Sequence, residues 1–92
     1  MAGMRKYPYQ QVDVDENKTI YNIGINIYRL RMEKGLSIRL LALQAGVQER
    51  YLYKVENGEL RVGIITIIRI AKALNVSVSE LIGEDKAYGN EI

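Results

Sequence analysis

The stretch Leu36–Gly58 reads LSIRLLALQAGVQERYLYKVENG and contains two short helical patterns joined by a turn at Gly46. In the first pattern, Leu41, Ala42 and Ala45 fall on one face at helical spacing. Gly46 can adopt the left-handed backbone conformation that ends a helix and redirects the chain. The stretch therefore predicts two helices that meet at an angle across a tight turn.

The second pattern opens at Gln48 and has one apolar and one polar face. Leu52 and Val55 lie three residues apart and are expected to face inward. A short helix that follows such a turn with its polar face exposed can enter the major groove of DNA. The side chains expected on that outward face are Glu49, Arg50, Tyr53 and Lys54.

Helical spacing of apolar residues continues on both sides of this stretch and predicts five short helices, hence an all-α fold. We expect helices over Ile20–Lys34, from a Ser37 cap to Ala45, over Gln48–Glu56, over Gly63–Leu74, and from Ser77 or Ser79 onward. Their expected inward residues outside the quoted stretch are Ile20, Ile23, Ile27, Leu30, Ile64, Ile67, Ile70, Ala71, Leu74, Val78, Leu81 and Ile82. The predicted organisation is a flexible N-terminal arm (1–19), a helical domain (20–83) and a short acidic C-terminal tail (84–92).

Charge is unevenly distributed along the 92 residues. The arm is neutral, the helical domain has nine Lys and Arg side chains against five Glu, and the tail has three acidic side chains against one Lys. A positive domain suits attraction to phosphates, although the same charge is compatible with an ordinary solvated surface.

Composition argues against several functional classes. The chain contains no Cys and no His, which removes disulfides, zinc fingers and the common catalytic nucleophile, base and metal-ligand combinations. The acidic cluster of Asp13, Asp15 and Glu16 lacks the spacing and glycine of a calcium loop, so we interpret it as solvated. No apolar run is long enough for a membrane span or a signal-peptide core. We expect a cytoplasmic, non-enzymatic protein without a metal, cofactor, membrane partner or small-molecule substrate.

Five segments in a fixed order carry a family resemblance. They are IGINIYRLR from Ile23, GLS before the second helix, LALQAGV at the turn, YKVENG at the end of the third helix, and IAKALNVSVSELIG from Ile70. Residues 23–81 thereby resemble the Cro/repressor-type (Xre-like) helix-turn-helix family, which includes lambda-type phage repressors. The resemblance implies a five-helix lambda repressor-like DNA-binding bundle, bacterial or phage-encoded and nucleoid-associated. It also implies that Arg31 and Glu56 form an ion pair that orients the third helix, the alternative being two unrelated surface charges.

The position of side chains on the third helix predicts which ones read bases. Residues in the first turn and one turn later reach deepest into the groove, which selects Gln48, Glu49, Arg50, Tyr53 and Lys54. Arg50 and Lys54 suit the acceptors of guanine, Gln48 suits adenine or a phosphate, and Glu49 can accept from the amino group of cytosine. The competing interpretation is that these are solvated charges on an exposed face.

Phosphate contacts are where the sequence departs from the resemblance. The family commonly has Gln in the first turn of the second helix, where this chain has Ile38, and basic residues after the third helix, where it has Glu59. We therefore expect weaker affinity for the DNA backbone than in a strongly basic relative. The predicted phosphate-binding residues are Ser37, Arg39, Asn57 and Arg61.

Apolar residues also occur where a solvated face is expected. Tyr21, Ile25, Tyr28 and Met32 form a second stripe on the first helix, here called the tyrosine stripe. Leu40 and Leu43 on the second helix, and Ile65 and Ile68 on the fourth, extend the apolar surface. Such surfaces usually need covering. Either the arm lays Tyr7, Tyr9 or Val12 over the tyrosine stripe, or a twofold dimer forms on Ile65, Ile68 and the end of the chain.

Together these features predict a sequence-specific regulator that binds double-stranded DNA, a repressor that acts as a homodimer on a palindromic operator. The alternative is a protein-interaction module of the antitoxin or antirepressor type, built on the same scaffold. Arg50, Lys54 and Arg61 favour the first hypothesis, and the tyrosine stripe favours the second.

Overall fold

The computed structural model describes residues 14–83, which form five α-helices and no strand. The helices are α1 (Glu16–Glu33), α2 (Ile38–Ala45), α3 (Glu49–Glu56), α4 (Ile64–Leu74) and α5 (Val78–Ile82). The predicted all-α architecture is confirmed. The predicted acidic tail and the first thirteen residues of the predicted arm lie outside the described residues.

One hydrophobic core unites the five helices. α2 packs against α4, and α1 packs against both α3 and α5. Asn26 adds a polar tie, because its amide nitrogen donates to the carbonyl oxygen of Leu81 at 2.8 Å. The buried apolar residues are Ile27, Leu30, Leu41, Ala42, Ala45, Leu52, Val55, Ile67, Ile70, Ala71, Leu74 and Leu81.

The first helix begins at Glu16, four residues before the predicted start at Ile20. Asp15 is its N-cap, and the carboxylate accepts a hydrogen bond from the backbone N–H of Lys18 at 3.1 Å. This bond satisfies one of the backbone donors that every helix start leaves without an intrahelical partner. Residues 16–19, which the sequence assigned to the arm, are therefore helical.

Five residues expected to face inward are less buried than their spacing predicts, although two of them, Ile23 and Val78, still pack half-buried against the core. Ile64 is 60% exposed and Ile82 is 39% exposed, while Ile20 is only half-buried. Ile64 is the first residue of α4 and Ile82 the last of α5, so each lies at the edge of the bundle.

The start of α5 is settled in favour of Ser77, which forms a reciprocal capping box with Glu80.

The turn between α2 and α3 has the predicted left-handed glycine. Gly46 has φ 74°, and the N–H of Val47 donates to the carbonyl of Ala42 at 3.0 Å. This bond from the second residue past the helix closes a Schellman motif. The motif ends α2 abruptly and sets the angle at which α3 leaves the turn.

Gly24 allows α1 and α3 to cross closely. A Cβ atom at this position would lie 2.7 Å from the carbonyl oxygen of Glu56 and closer still to that of Val55. Both obstructing atoms belong to the backbone of α3, so a flexible side chain could not move aside to make room. The absence of a side chain at Gly24 therefore sets the distance between these two helices.

Arg31 and Glu56 join α1 to α3 through a bidentate ion pair. The Nε of Arg31 lies 2.7 Å from Oε2 of Glu56, and Nη2 lies 2.9 Å from Oε1. The remaining guanidinium nitrogen, Nη1, donates to the carbonyl oxygen of Leu36 at 2.9 Å. Only 11% of the Arg31 side chain and 6% of the Glu56 side chain are exposed. One guanidinium group thus connects α1, α3 and the loop that leads into α2.

The pair stabilises the charged form of Arg31. Hydrogen bonding to Glu56 raises the pKa of Arg31, burial opposes the shift, and the charge of the carboxylate adds to it. A folded-state pKa raised above the unfolded value stabilises the fold below the unfolded pKa, and this contribution is lost only as pH rises through the folded pKa. For an arginine that loss lies far above neutral pH.

Replacing Glu56 should destabilise the protein strongly. Glu56→Ala leaves the Arg31 guanidinium buried without its carboxylate, which should lower the free energy of unfolding by about 3–5 kcal/mol in urea titrations. Glu33→Ala is the matched control, since it removes an exposed carboxylate 3.3 Å from Arg29 and should cost less than about 0.5 kcal/mol. Equal losses in the two variants would contradict the role assigned to the pair.

Adding one methyl group at Gly24 should also destabilise the protein. Gly24→Ala should lower the free energy of unfolding by about 1–3 kcal/mol through overpacking, although alanine favours helices by roughly 1 kcal/mol over glycine. Gly63→Ala is the control, because a Cβ atom there would meet no neighbouring atom and the φ of −70° is ordinary for any residue. This variant should lower the free energy of unfolding by less than about 1 kcal/mol. A stabilised Gly24→Ala protein would show that the two helices can move apart freely.

Candidate nucleic-acid interface

The outward face of α3 presents the side chains that the sequence selected for base reading. Glu49, Arg50, Tyr53 and Lys54 are exposed, whereas Leu52 and Val55 on the opposite face are buried in the core. Gln48 is the exposed N-cap residue of α3, and its side chain makes no capping hydrogen bond. The structure therefore exposes four of the predicted base-reading residues on one face of α3, with the fifth, Gln48, at its N-cap.

Three contacts hold this helix in place from behind. Leu52 and Val55 anchor it in the core, Gly24 sets its distance from α1, and the Arg31–Glu56 pair fixes its last turn. The polar face therefore belongs to a helix whose position is fixed by packing against the rest of the bundle. Such support matters because base recognition requires each side chain to reach a particular base edge.

A surface cavity of about 440 Å³ lies between the start of α2 and the outward face of α3. Its lining residues are Ile38, Glu49, Arg50 and Tyr53, and we refer to it as the α2–α3 notch. Ile38 is half-buried and packs against the core, while Tyr53 is 58% exposed. The residue that replaces the family's common glutamine therefore lies directly beside the candidate base-reading side chains.

The predicted phosphate-binding residues are scattered around α3 and have different surroundings. Ser37 caps α2, and its hydroxyl oxygen accepts from the N–H of Leu40 at 3.0 Å. Arg39 is exposed on the first turn of α2, and Asn57 is the exposed C-cap of α3. Arg61 forms an ion pair with Glu16 at the start of α1.

Sequence reasoning missed the contact between Arg61 and Glu16. The two side chains are 77% and 62% exposed, so water surrounds the pair. No local pattern could have indicated this contact, because the residues are 45 positions apart and Glu16 was assigned to the arm.

Sequence reasoning also missed Gly24, although a glycine between two isoleucines inside a helical pattern is a signal for close packing.

Most of the apolar residues expected outside the core are exposed in the described part of the chain. Tyr21, Ile25, Tyr28 and Met32 are all solvent-exposed, which places the tyrosine stripe on the surface of α1. Ile65 is exposed on α4, and Ile68 beside it is half-buried. Tyr7, Tyr9 and Val12, the residues expected to cover the stripe, lie outside the described residues.

Residues 14–83 contain neither a metal-binding cluster nor a membrane-spanning helix. No group of three or more acidic side chains is placed to hold a metal ion there. None of the helices in this part of the chain combines the length and apolar character needed to cross a membrane.

Comparison with known proteins gives a consistent result. Residues 27–81, more than half of the chain, match the family model described as "Helix-turn-helix" (HTH_3). The chain is 38% identical over 60 residues to the uncharacterized HTH-type transcriptional regulator y4dJ of Sinorhizobium fredii, and this region covers 65% of the chain and 78% of the relative.

Solved structures agree with the sequence relatives. The restriction-modification controller protein C.AhdI from Aeromonas hydrophila is 34% identical with a TM-score of 0.66, over 67% of this chain and 94% of that protein. A complex of the SinR and SinI proteins matches at 32% identity and a TM-score of 0.65, over 75% of this chain and 73% of the matched one. With its five helices, its exposed α3 and these matches, the chain belongs to the Xre/Cro-like helix-turn-helix family (HTH_3) of DNA-binding transcriptional regulators.

Proposed function

We propose that this protein is a transcriptional repressor that binds a palindromic operator in double-stranded DNA as a homodimer. The observation that carries the proposal is the outward face of α3, where Gln48, Glu49, Arg50, Tyr53 and Lys54 are exposed together on a rigidly held helix. Family membership supports DNA binding, and the site chemistry supports sequence specificity. Repression, dimerisation and the operator are parts of the proposal.

The base-reading roles follow from the hydrogen-bonding groups of the side chains. Arg50 and Lys54 donate to the O6 and N7 atoms of guanine, and Gln48 binds adenine or a phosphate. Glu49 accepts from the amino group of cytosine. Its carboxylate also repels phosphates at sites that offer no donor, which favours discrimination over non-specific affinity.

The phosphate contacts place the helix on the duplex. The N-terminus of α2, capped by Ser37, presents backbone N–H groups that favour an anion. Arg39 is exposed on α2 and Asn57 at the end of α3, and Arg61 can exchange the carboxylate of Glu16 for a phosphate because that pair is solvated.

Dimerisation is proposed through the exposed apolar end of α4. Ile65 lies at the surface next to the exposed Ile64, and Ile68 follows one turn later. A twofold axis through this patch would bury the same residues from both subunits. It would also supply a second α3 for the second half-site of a palindrome.

A second candidate function is a protein-interaction module of the antitoxin or antirepressor type. The observation that favours it is the exposed tyrosine stripe on α1, a helix face that is separate from α3. The matched SinR structure contains a second protein, SinI, which adds support for protein interactions on this scaffold. Neither candidate function requires a cofactor or an enzymatic step.

Selection from a random duplex library tests the first proposal. We expect the purified protein to enrich a palindromic motif, and log K to fall with log salt by about 0.9 for each phosphate contacted. Arg50→Ala combined with Lys54→Ala should weaken binding to that motif on the order of a hundredfold or more, because two base contacts are lost.

Arg29→Ala is the matched control for the double variant. It removes an exposed arginine on α1 that pairs with Glu33, so affinity and thermal stability should both stay close to those of the unchanged protein. Binding that survives the loss of Arg50 and Lys54 would refute the site assignment. Weak, uniform binding without any motif would favour the protein-interaction function instead.

The dimer interface is tested by adding a charge to the α4 patch. Ile65→Glu should raise the dimer dissociation constant by at least about tenfold, a cost of roughly 1.4 kcal/mol, since a carboxylate would be buried at the axis. Leu43→Glu introduces the same charge at an exposed leucine of α2 and should leave the dimer intact. Sedimentation equilibrium measures both variants. A monomeric parent protein, or an unaffected Ile65→Glu dimer, would contradict the proposed interface.

A further inference from the structure

The α2–α3 notch combines apolar and charged walls at the face proposed to enter the major groove. Ile38 forms one wall from the first turn of α2, and Tyr53 forms another from the middle of α3. Glu49 and Arg50 complete the lining from the first turn of α3. The notch therefore continues the candidate base-reading surface and is not a separate site.

One apolar wall of the notch is anchored in the hydrophobic core. Ile38 packs against the hydrophobic core with the part of its side chain that is buried, and its remaining surface lines the notch. Tyr53 shares the outward face of α3 with Arg50, three residues earlier in the chain. A half-buried aliphatic side chain and a largely exposed aromatic ring thus line the same notch as the guanidinium group of Arg50.

The chemistry of the major groove identifies what such a wall would contact. Base edges there present hydrogen-bond donors and acceptors, and the one apolar group among them is the C5-methyl group of thymine. A phosphate would gain nothing from contact with Ile38 or with the ring face of Tyr53, although the Tyr53 hydroxyl can donate to a phosphate. Unmodified DNA supplies the methyl group at every A·T pair.

The charged residues of the notch specify the neighbouring base pair. Arg50 can donate two hydrogen bonds to guanine, and Glu49, the adjacent residue, can accept from the amino group of cytosine. The O4 atom of thymine is an acceptor and offers the carboxylate no donor. The two charged side chains therefore suit a G·C pair, and the apolar walls suit a different, adjacent pair.

We propose that the α2–α3 notch reads the C5-methyl group of a thymine that lies next to a G·C pair contacted by Arg50 and Glu49. Ile38 and Tyr53 are then specificity-determining residues. The family commonly has Gln where this chain has Ile38. The substitution would therefore replace a polar contact with recognition of a methyl group. This inference rests on the proposed function, because it requires α3 to enter the major groove.

Uracil substitution isolates the methyl group, since deoxyuridine differs from thymidine only by its loss. In duplexes made from the selected motif, deoxyuridine at the thymine beside the Arg50-dependent G·C pair should weaken binding about fourfold per half-site, as expected for one buried methyl group. Deoxyuridine at thymines outside the motif should have no effect.

Protein variants assign the effect to the notch. In Tyr53→Ala and Ile38→Ala the ratio of thymine to uracil affinities should approach one, whereas Leu43→Ala, which truncates an exposed leucine elsewhere on α2, should preserve it. Tyr53→Phe keeps the aromatic ring and should also preserve the ratio. Tyr53 is largely exposed, so its variants remain informative even if the half-buried Ile38→Ala protein fails to fold.

Each remaining result overturns the inference in a recognisable way. A selected motif whose affinity is unchanged by uracil at every thymine would refute methyl recognition while leaving the proposed repressor function standing. Tighter binding on replacing cytosine by 5-methylcytosine, with uracil neutral, would refute thymine as the base read. Failure to select any motif would overturn the proposed function together with this inference.

Discussion

The bidentate contact between Arg31 and Glu56 is the interaction on which the geometry of this small domain depends. Removing two charges from water costs several kcal/mol for each ion, so such a pair contributes little net stability compared with apolar residues of similar size. The pair instead fixes orientation, because a planar guanidinium donates two parallel hydrogen bonds to a carboxylate in only a few relative orientations. With its third bond to the carbonyl of Leu36, Arg31 fixes α3 relative to α1 and to the start of α2.

The parts of the fold that follow from local periodicity could be predicted from sequence. The turn at Gly46 and the division of α3 into a buried and a polar face need only eight to ten neighbouring residues, and both are present in the structure. The start of α1 was wrong by four residues, because Asp15 was interpreted as a solvated acid and not as a cap. Ile64 and Ile82 were wrongly placed in the core, since periodicity does not show where a helix leaves the bundle.

Within the candidate site, the outward residues of α3 could be selected from sequence because they share one helix. The surroundings of these residues could not be predicted from sequence, because they depend on how separate helices pack against each other. Ile38 was noted as a missing polar anchor, yet its place in the wall of the α2–α3 notch follows only from the packing of α2 on α3. Likewise, the tight crossing at Gly24 joins residues more than thirty positions apart, so no local pattern reveals it.

The exposed pair between Arg61 and Glu16 gives this domain an internal counterion. The binding of a lysine or arginine to phosphate is driven largely by the release of cations condensed on DNA. A phosphate that binds Arg61 must displace the Glu16 carboxylate, so the contact exchanges one solvated ion pair for another. If Arg61 is a phosphate contact, it would therefore add less net affinity for DNA than an arginine that has no acidic partner to give up.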